Sequence, residues 1–409
     1  MYNRYLGVFK KHYPAKKLAP LLAIIVALSP FAIDTYLPAI PTMAKFFGVD
    51  IHLIELSIPI YLIGFALGQL TGGPISDNYG RKWIGVIGLS LFFVASVSII
   101  FVTNVEQLWM FRFIQAFGGG FGLVICSAIV RDLYDGKDAA KIFTLIGFIM
   151  MVAPLIAPSV GAILLEYFNW QAIFVLLAIY ALLQVFIIIT LIPETKKLRR
   201  VAGYTHLSIG QVFKNYWSIV SHKSAVYYLL CSSLVAGTLF AFLTEISFLY
   251  IEYFNVTESK FSWLFALNII SMMSFNRINH FLLDRWPSKK ILRLGLFIQT
   301  TSALLLLLSA LFHVESLTIV VVLLMLIIGS FGIIGPNNMV CYMSYFSKSS
   351  GTANAVIGSA QFALGAVVGL ILAQLHDGTP LPMFGMIFVC AVLGLLSYLS
   401  AKQECEVSQ

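Results

Sequence analysis

Apolar runs of about twenty residues recur from one end of this chain to the other, and they constrain its fold more than any other feature. A helix of that length crosses a hydrocarbon core about 30 Å thick. In lipid every backbone polar group must be satisfied internally, which leaves helices or a closed barrel. The runs place twelve spans at roughly 18–42, 53–75, 83–103, 108–130, 142–165, 170–192, 225–251, 260–283, 290–312, 317–344, 351–375 and 380–401. Only 11% of the 409 residues are charged, against about 25% in soluble domains. No soluble domain of useful size is left over. The expected fold class is an all-α polytopic membrane protein with twelve transmembrane helices in two halves. Residues 1–192 form the N-terminal half, 193–223 a cytoplasmic linker and 224–409 the C-terminal half.

Positive charge orients the spans. Of the 26 Lys and Arg residues, 22 fall on the side of the two termini and of the 193–223 segment. Only Lys45 and Lys260 fall in loops of the opposite side. Cytoplasmic loops carry the excess of Lys and Arg, so both termini are expected in the cytoplasm. The first apolar run has no cleavage-like end and reads as an uncleaved span rather than a signal peptide. Within the linker, Leu207 to Val220 reads as a short surface helix. The other loops are too short to hold a binding domain, so any site lies between spans. The net charge of +8 is spread over loops, which excludes a nucleic-acid partner or a basic tail. Five cysteines occur without a C-x-x-C or a His/Cys cluster, so neither a metal nor a cofactor is expected.

One short charged stretch, Gly72 to Lys82, occurs twice. Laying Ile75–Leu89 over Leu282–Leu296 puts Asp77 on Asp284, Tyr79 on Trp286, Lys82 on Lys289, Ile84 on Ile291 and Gly88 on Gly295. The offset of 207 residues is about half the chain. That is an internal duplication in parallel orientation. The stretch reads as a tight turn between antiparallel neighbours, in which Gly73, Asp77, Gly80, Arg81 and Lys82, with Asp132 at the inner end of span four, form a conformational lock. Arg81 is expected to pair with Asp132. Asp77 is expected at the N-terminus of span eleven, where unpaired N–H groups attract an anion. The alternative is a loop that only sets topology.

Charges inside spans carry the functional expectation, because an ion in a membrane is expensive. Asp34 in span one and Arg112 in span four lie at depths that differ by about 6 Å at 1.5 Å per residue. They are the candidates for proton coupling and for holding a substrate cation; a structural ion pair is the alternative. A carboxylate that takes a proton and a cationic substrate in turn is the simplest basis for antiport. Arg277, close to an interface, reads as a snorkelling side chain. Tyr36, Tyr61, Gln115, Glu245, Asn268 and Gln361 are possible cavity walls, each equally readable as a helix–helix contact. Pro154, Pro158 and Gly161 mark span five as a bent, closely packed interface helix. Gly335-Pro336-Asn337-Asn338 reads as a polar break in span ten.

These residues resemble a known family. Gly73-Pro74-Ile75-Ser76-Asp77-Asn78-Tyr79-Gly80-Arg81-Lys82 resembles the loop 2–3 signature of the major facilitator superfamily. Arg112 with Gln115 and the following glycines is similar to the span-four signature of its drug:proton antiporters. Asp34-Thr35-Tyr36-Leu37-Pro38-Ala39-Ile40-Pro41 resembles the start of the bacterial Bcr/CflA subfamily, as do Gly335-Pro336-Asn337, Gly351-Thr352-Ala353-Asn354-Ala355 and Gln361-Phe362. The resemblance implies that the two halves are two six-helix bundles, 1–192 the N-terminal and 224–409 the C-terminal one, with a central cavity, rocking alternating access and export of lipophilic or cationic small molecules in exchange for protons. It also implies a bacterial inner membrane, and Asp34 and Arg112 as the coupling pair. Two positions depart from the pattern. Ala153-Pro154 stands where antiporters have Gly-Pro, and Glu245 stands where the subfamily has a small polar residue.

The leading expectation is a secondary active transporter for multidrug export, not an enzyme. Its partners are a small-molecule substrate, the proton and the lipid bilayer, with a monomer as the functional unit. A dedicated carrier of one natural product such as a siderophore, and a non-transporting receptor or scaffold, are the alternatives.

Overall fold

Proline and glycine decide where the apolar runs break. The computed structural model describes residues 14–134, 136–195, 209–346 and 349–401. Helix α1 (Ala15–Asp34) stops before the extended span expected from sequence. A 3-10 turn at Leu37–Ala39 then leads into α2 (Ile40–Phe47). Pro38 lies in that 3-10 turn and Pro41 in the first turn of α2, where a missing backbone donor is tolerated. Asp34 therefore sits on the last turn of a helix, beside a break. Helix α3 (Ile51–Glu55) is followed by α4 (Ser57–Tyr79), α5 (Arg81–Ile99), α6 (Val105–Leu133), α7 (Gly136–Tyr167), α8 (Gln171–Leu191) and α9 (Ile209–Val220). Helix α10 (Ala225–Ser247) runs on into a π-helical turn at Phe248–Tyr253. Helices α11 (Glu258–Leu283), α12 (Ser288–Leu311), α13 (Leu317–Met343), α14 (Ser350–Leu375) and α15 (Leu381–Ser400) complete the chain.

Among the described residues, eleven helical segments are long and apolar enough to cross a membrane. Helix α11 is the twelfth long one. Its 26 residues extend about 39 Å, but Asn268, Asn276, Arg277, Asn279 and His280 dilute its apolar character. The surface helix expected in the linker is α9; Leu207 and Ser208 lie outside the described residues.

Two sequence expectations are corrected. The stretch Gly72–Tyr79 is helical to its end, and the turn is reduced to Gly80, at φ +115°. Only glycine takes that conformation without strain. The Gly335–Asn338 stretch does not break α13, which passes through Pro336 without interruption. Flanking polar side chains bond locally instead: Asn337 Nδ2 donates to Ile333 O at 2.8 Å and to Asn279 Oδ1 at 2.6 Å. Asn338 Nδ2 donates to Tyr228 O at 3.0 Å.

The chain divides into two compact units. One comprises the described residues of Met1–Tyr36 and Ile60–Phe213, the other Leu37–Pro59 and those of Lys214–Gln409. In the first, α4 and α6 approach through glycine. A Cβ added at Gly120 would lie 2.7 Å from Phe65 O and 2.9 Å from Gln69 N. Gly64, Gly68 and Gly72 repeat every fourth residue along α4 and face Phe113, Phe117 and Phe121, a small-residue stripe of the kind that lets membrane helices touch. This contact sets α4, which carries Tyr61, against α6, which carries Arg112. Helix α1 packs along α7, whose Ala153, Ala157, Pro158 and Gly161 are buried while Pro154 is half-buried. Tyr180 Oη and Gln184 Nε2 of α8 both donate to Ile24 O of α1, at 2.7 and 3.0 Å.

In the second unit α10 packs on α14 and α15, and α13 packs on α11 and α12. Gly332 meets the backbone of Met272 and Asn276 as Gly120 meets that of α4. The duplication read from sequence has a structural counterpart at the helix starts. Helix α5 begins at Arg81 after Gly80, and α12 begins at Ser288 after Pro287, the same 207 residues on. Gly88 and Gly295 each press against the following long helix.

Candidate functional site

Arg112 is fully buried in the first unit, with no exposed surface. Its guanidinium lies 4.4 Å from the Tyr61 ring centroid, 4.6 Å from that of Tyr36 and 6.0 Å from that of Phe174. Desolvated cation–π contacts of this kind contribute about 2 kcal/mol each, and they offset part of the burial penalty of the ion. Nη1 donates to Gln115 Oε1 at 2.8 Å and to Ala32 O at 3.3 Å. Gln115 Nε2 in turn donates to Ser96 Oγ at 2.7 Å. Nε and Nη2 have no hydrogen-bond partner. The cage is braced by Trp170, itself 2% exposed, whose ring meets Phe174 edge-on at 6.0 Å.

Asp34 is buried as well, 4% exposed, at the end of α1. It faces protein rather than lipid. The direct pairing that its depth suggested is absent: among the described residues no carboxylate oxygen lies within 4.0 Å of the Arg112 nitrogens. Tyr61 connects the two, since its phenol feels both Arg112 and Asp34 and lies beside Ser29. Arg112 also reaches the backbone of α1 two residues before Asp34, at Ala32. The structure thus brings Asp34, Arg112, Tyr36, Tyr61 and Gln115 into one buried compartment of one unit. Phe174 is an addition that no sequence signal marked.

At the other end of that unit the Gly80 turn gathers charge. Arg81 bonds Asp77 at 2.5 Å, one helical turn earlier. Its Nε lies 3.3 Å from Asp132 Oδ2, as the sequence predicts. Arg81 Nη1 also donates to Ser76 Oγ at 2.6 Å and to Gly73 O at 3.4 Å. Glu194 and Thr195 were not foreseen. The Glu194 carboxylate accepts from Arg81 N and Lys82 N, both at 3.1 Å, and so caps the positive end of α5. Thr195 Oγ1 donates to Asp132 Oδ2 at 2.7 Å. A Cβ on residue 80 would lie 2.6 Å from Glu194 Oε2, a second reason for glycine. Lys82 Nζ donates to Ile189 O at 2.6 Å.

The remaining candidates lie in the second unit and do not form one group. Asn268 is buried, and Nδ2 donates to Leu264 O at 3.0 Å within its own helix. Gln361 Nε2 donates to Ser232 Oγ at 2.6 Å across a helix–helix contact. Glu245 is 1% exposed and lies 3.5 Å from His376 Nδ1, with Glu55 in the same cluster. The Glu245 carboxylate holds the His376 imidazole above its ordinary pKa, burial acting the other way. Arg277 is exposed and rests over Phe281 at 5.0 Å, as expected of a snorkelling side chain.

Residues 22–370 match the Major Facilitator Superfamily. The chain is 30% identical over 378 residues to a bicyclomycin resistance protein homolog of Haemophilus influenzae, covering 92% of this chain and 94% of that one. It is 28% identical over 392 residues to a chloramphenicol resistance protein of Pseudomonas aeruginosa, covering 92% and 90%. In fold it resembles the crystal structure of a D-xylose–proton symporter, with a TM-score of 0.72 at 15% identity over 94% of this chain and 97% of that one.

Proposed function

This chain belongs to the Major Facilitator Superfamily, and from that premise we propose that it exports lipophilic or cationic small molecules in exchange for protons. Transport proceeds by alternating access in a bacterial inner membrane, with both termini in the cytoplasm and a monomer as the working unit. The names of the relatives, resistance to bicyclomycin and to chloramphenicol, support the substrate class. The distribution of Lys and Arg supports the orientation.

One observation carries the mechanism: a buried guanidinium with two unpartnered donors, Nε and Nη2, in the same compartment as a buried carboxyl. When Asp34 holds a proton, Arg112 rests on the faces of Tyr36 and Tyr61. When Asp34 gives up its proton, a negative charge appears in that compartment. It is neutralised either by the free donors of Arg112 or by a cationic substrate. Proton and substrate compete for one carboxylate, so the outward passage of one requires the return of the other. Lipophilic substrates without charge are carried by the aromatic walls, with the protonation state of Asp34 selecting the conformation.

The Arg81 cluster serves as the lock. Asp77→Asn leaves Arg81 held by Asp132 and Ser76. Folding is therefore expected to be intact, with the maximal transport rate about tenfold lower and KM within about twofold. Unchanged transport in initial-rate measurements would refute the lock.

Purified protein in proteoliposomes under an imposed pH gradient tests the function as a whole. Chloramphenicol, bicyclomycin and an unrelated lipophilic cation should each be moved against their gradients. Transport of one polar compound alone would point to a dedicated carrier, and no flux of any compound would contradict the proposal.

A further inference from the structure

Three ionisable side chains that the transport mechanism does not use converge in the second unit. Glu55 ends α3, Glu245 lies near the end of α10, and His376 follows α14. One ligand atom from each falls within 4.8 Å of the others. Both carboxylates are 1% exposed. Glu55 Oε1 accepts from Phe248 N at 3.2 Å, where α10 passes into its π-helical turn. Beyond the 3.5 Å approach of Glu245 Oε1 to His376 Nδ1, the other atoms are left over: Glu55 Oε2, both oxygens of Glu245 and His376 Nδ1 have no hydrogen-bond partner. Leaving several buried polar atoms of one cluster unsatisfied is costly, and those atoms point at one another.

We propose that Glu55, Glu245 and His376 form a binding site for a divalent transition cation of the Zn²⁺ type. Charge is the first argument. Two buried carboxylates carry two negative charges, which one divalent ion neutralises while taking a neutral imidazole as third ligand. Ligand chemistry is the second. Carboxylates alone suit Mg²⁺ or Ca²⁺, whereas an added imidazole turns preference toward Zn²⁺ and its neighbours. Geometry is the third. Zn–ligand distances of about 2.0–2.2 Å put tetrahedral ligands about 3.4 Å apart. The present separations of at most 4.8 Å must contract by no more than about 1.4 Å to reach that value.

The surroundings hold the imidazole in place. The Phe248 ring meets His376 edge-on at 4.6 Å, and His52 stacks on it at 5.4 Å. Asp377 and Glu252 also act electrostatically on His376 and add negative potential. A pocket of about 480 Å³, lined by Lys45, Asp50, Ile51, Leu53 and Glu252 among others, lies along α3. A bound ion would fasten α3, α10 and the segment after α14 together.

The test uses full-length, tag-free protein, stripped with a chelator and titrated with ZnCl₂ alone by calorimetry. Metal content after dialysis is measured in parallel. One Zn²⁺ per chain with a Kd below about 10 μM is expected. Glu245→Gln and His376→Ala should each weaken binding at least about tenfold, whereas His313→Ala, at an exposed histidine outside the cluster, should leave it unchanged. Should either site variant fail to give monodisperse protein, zinc-edge absorption of the native protein decides. One nitrogen with oxygen ligands supports the site, and sulfur or multiple-imidazole ligation overturns it. No retained metal, or equal binding by the site variants, also overturns it. None of these readouts depends on transport.

Discussion

Replacing Asp34 with asparagine is expected to abolish accumulation against a gradient while leaving downhill movement of substrate nearly intact. Asparagine keeps the shape of a buried side chain at the end of α1, so the fold and the aromatic walls persist. What is lost is the carboxyl that the proposed exchange requires to alternate between neutral and negative. Each pH unit across the membrane is worth about 1.4 kcal/mol, a factor of about ten in the gradient supported by one-proton exchange. With a two-unit pH difference the native protein should hold a gradient of about a hundredfold, and the variant none. Substrate counterflow without a pH gradient should fall by less than about threefold, because that cycle needs binding and reorientation but no net proton transfer. Retained accumulation in the variant would exclude Asp34 from coupling.

Arg112→Ala is expected to be the most damaging single change in both stability and transport. Arg112 is fully buried and fills the space bounded by Tyr36, Tyr61 and Phe174. Its removal leaves a cavity and strips Gln115 Oε1 of its donor. Large buried truncations cost about 2–5 kcal/mol, here reduced because an incompletely paired buried charge disappears with the side chain. Arg112→Lys separates the two roles. The charge stays over the tyrosine rings, but the planar fork with its free Nε and Nη2 donors is gone. The lysine variant should fold with a thermal midpoint near that of the native protein and transport at least about tenfold more slowly under a pH gradient. Full coupled transport by the lysine variant would show that the fork is not used.

Most of the architecture was legible because lipid leaves a helix few alternatives. Helix α11, too polar to stand out by hydropathy alone, coincides with the eighth expected span at 260–283. Arg112 and Asp34 were legible for the same reason, since an ion in an apolar run has nowhere inexpensive to be. Helix ends were less so. Gly72–Tyr79 looked like a loop because of its glycines and charges, yet Arg81 and Ser76 tie that turn down and helix continues to Tyr79. The Glu55–Glu245–His376 cluster was not legible at all. Glu55 and His376 fall at the edges of their apolar runs, where polar residues are ordinary. The expectation of no metal rested on local spacing, which cannot see side chains brought together from three distant segments. Glu194 was missed likewise, as a lone acid after a span, until its contact with the α5 amides gave it a role.

The account stands on one carboxyl that proton and substrate occupy in turn, and proton release on substrate binding measures that directly. Weakly buffered, detergent-purified protein is mixed with chloramphenicol across about pH 6 to 9 while pH and binding are followed together. The native protein should release about one proton per substrate bound in part of that range, and Asp34→Asn should bind substrate and release none. Equal release from the variant, or binding by the native protein with no release at any pH, would contradict the exchange at Asp34.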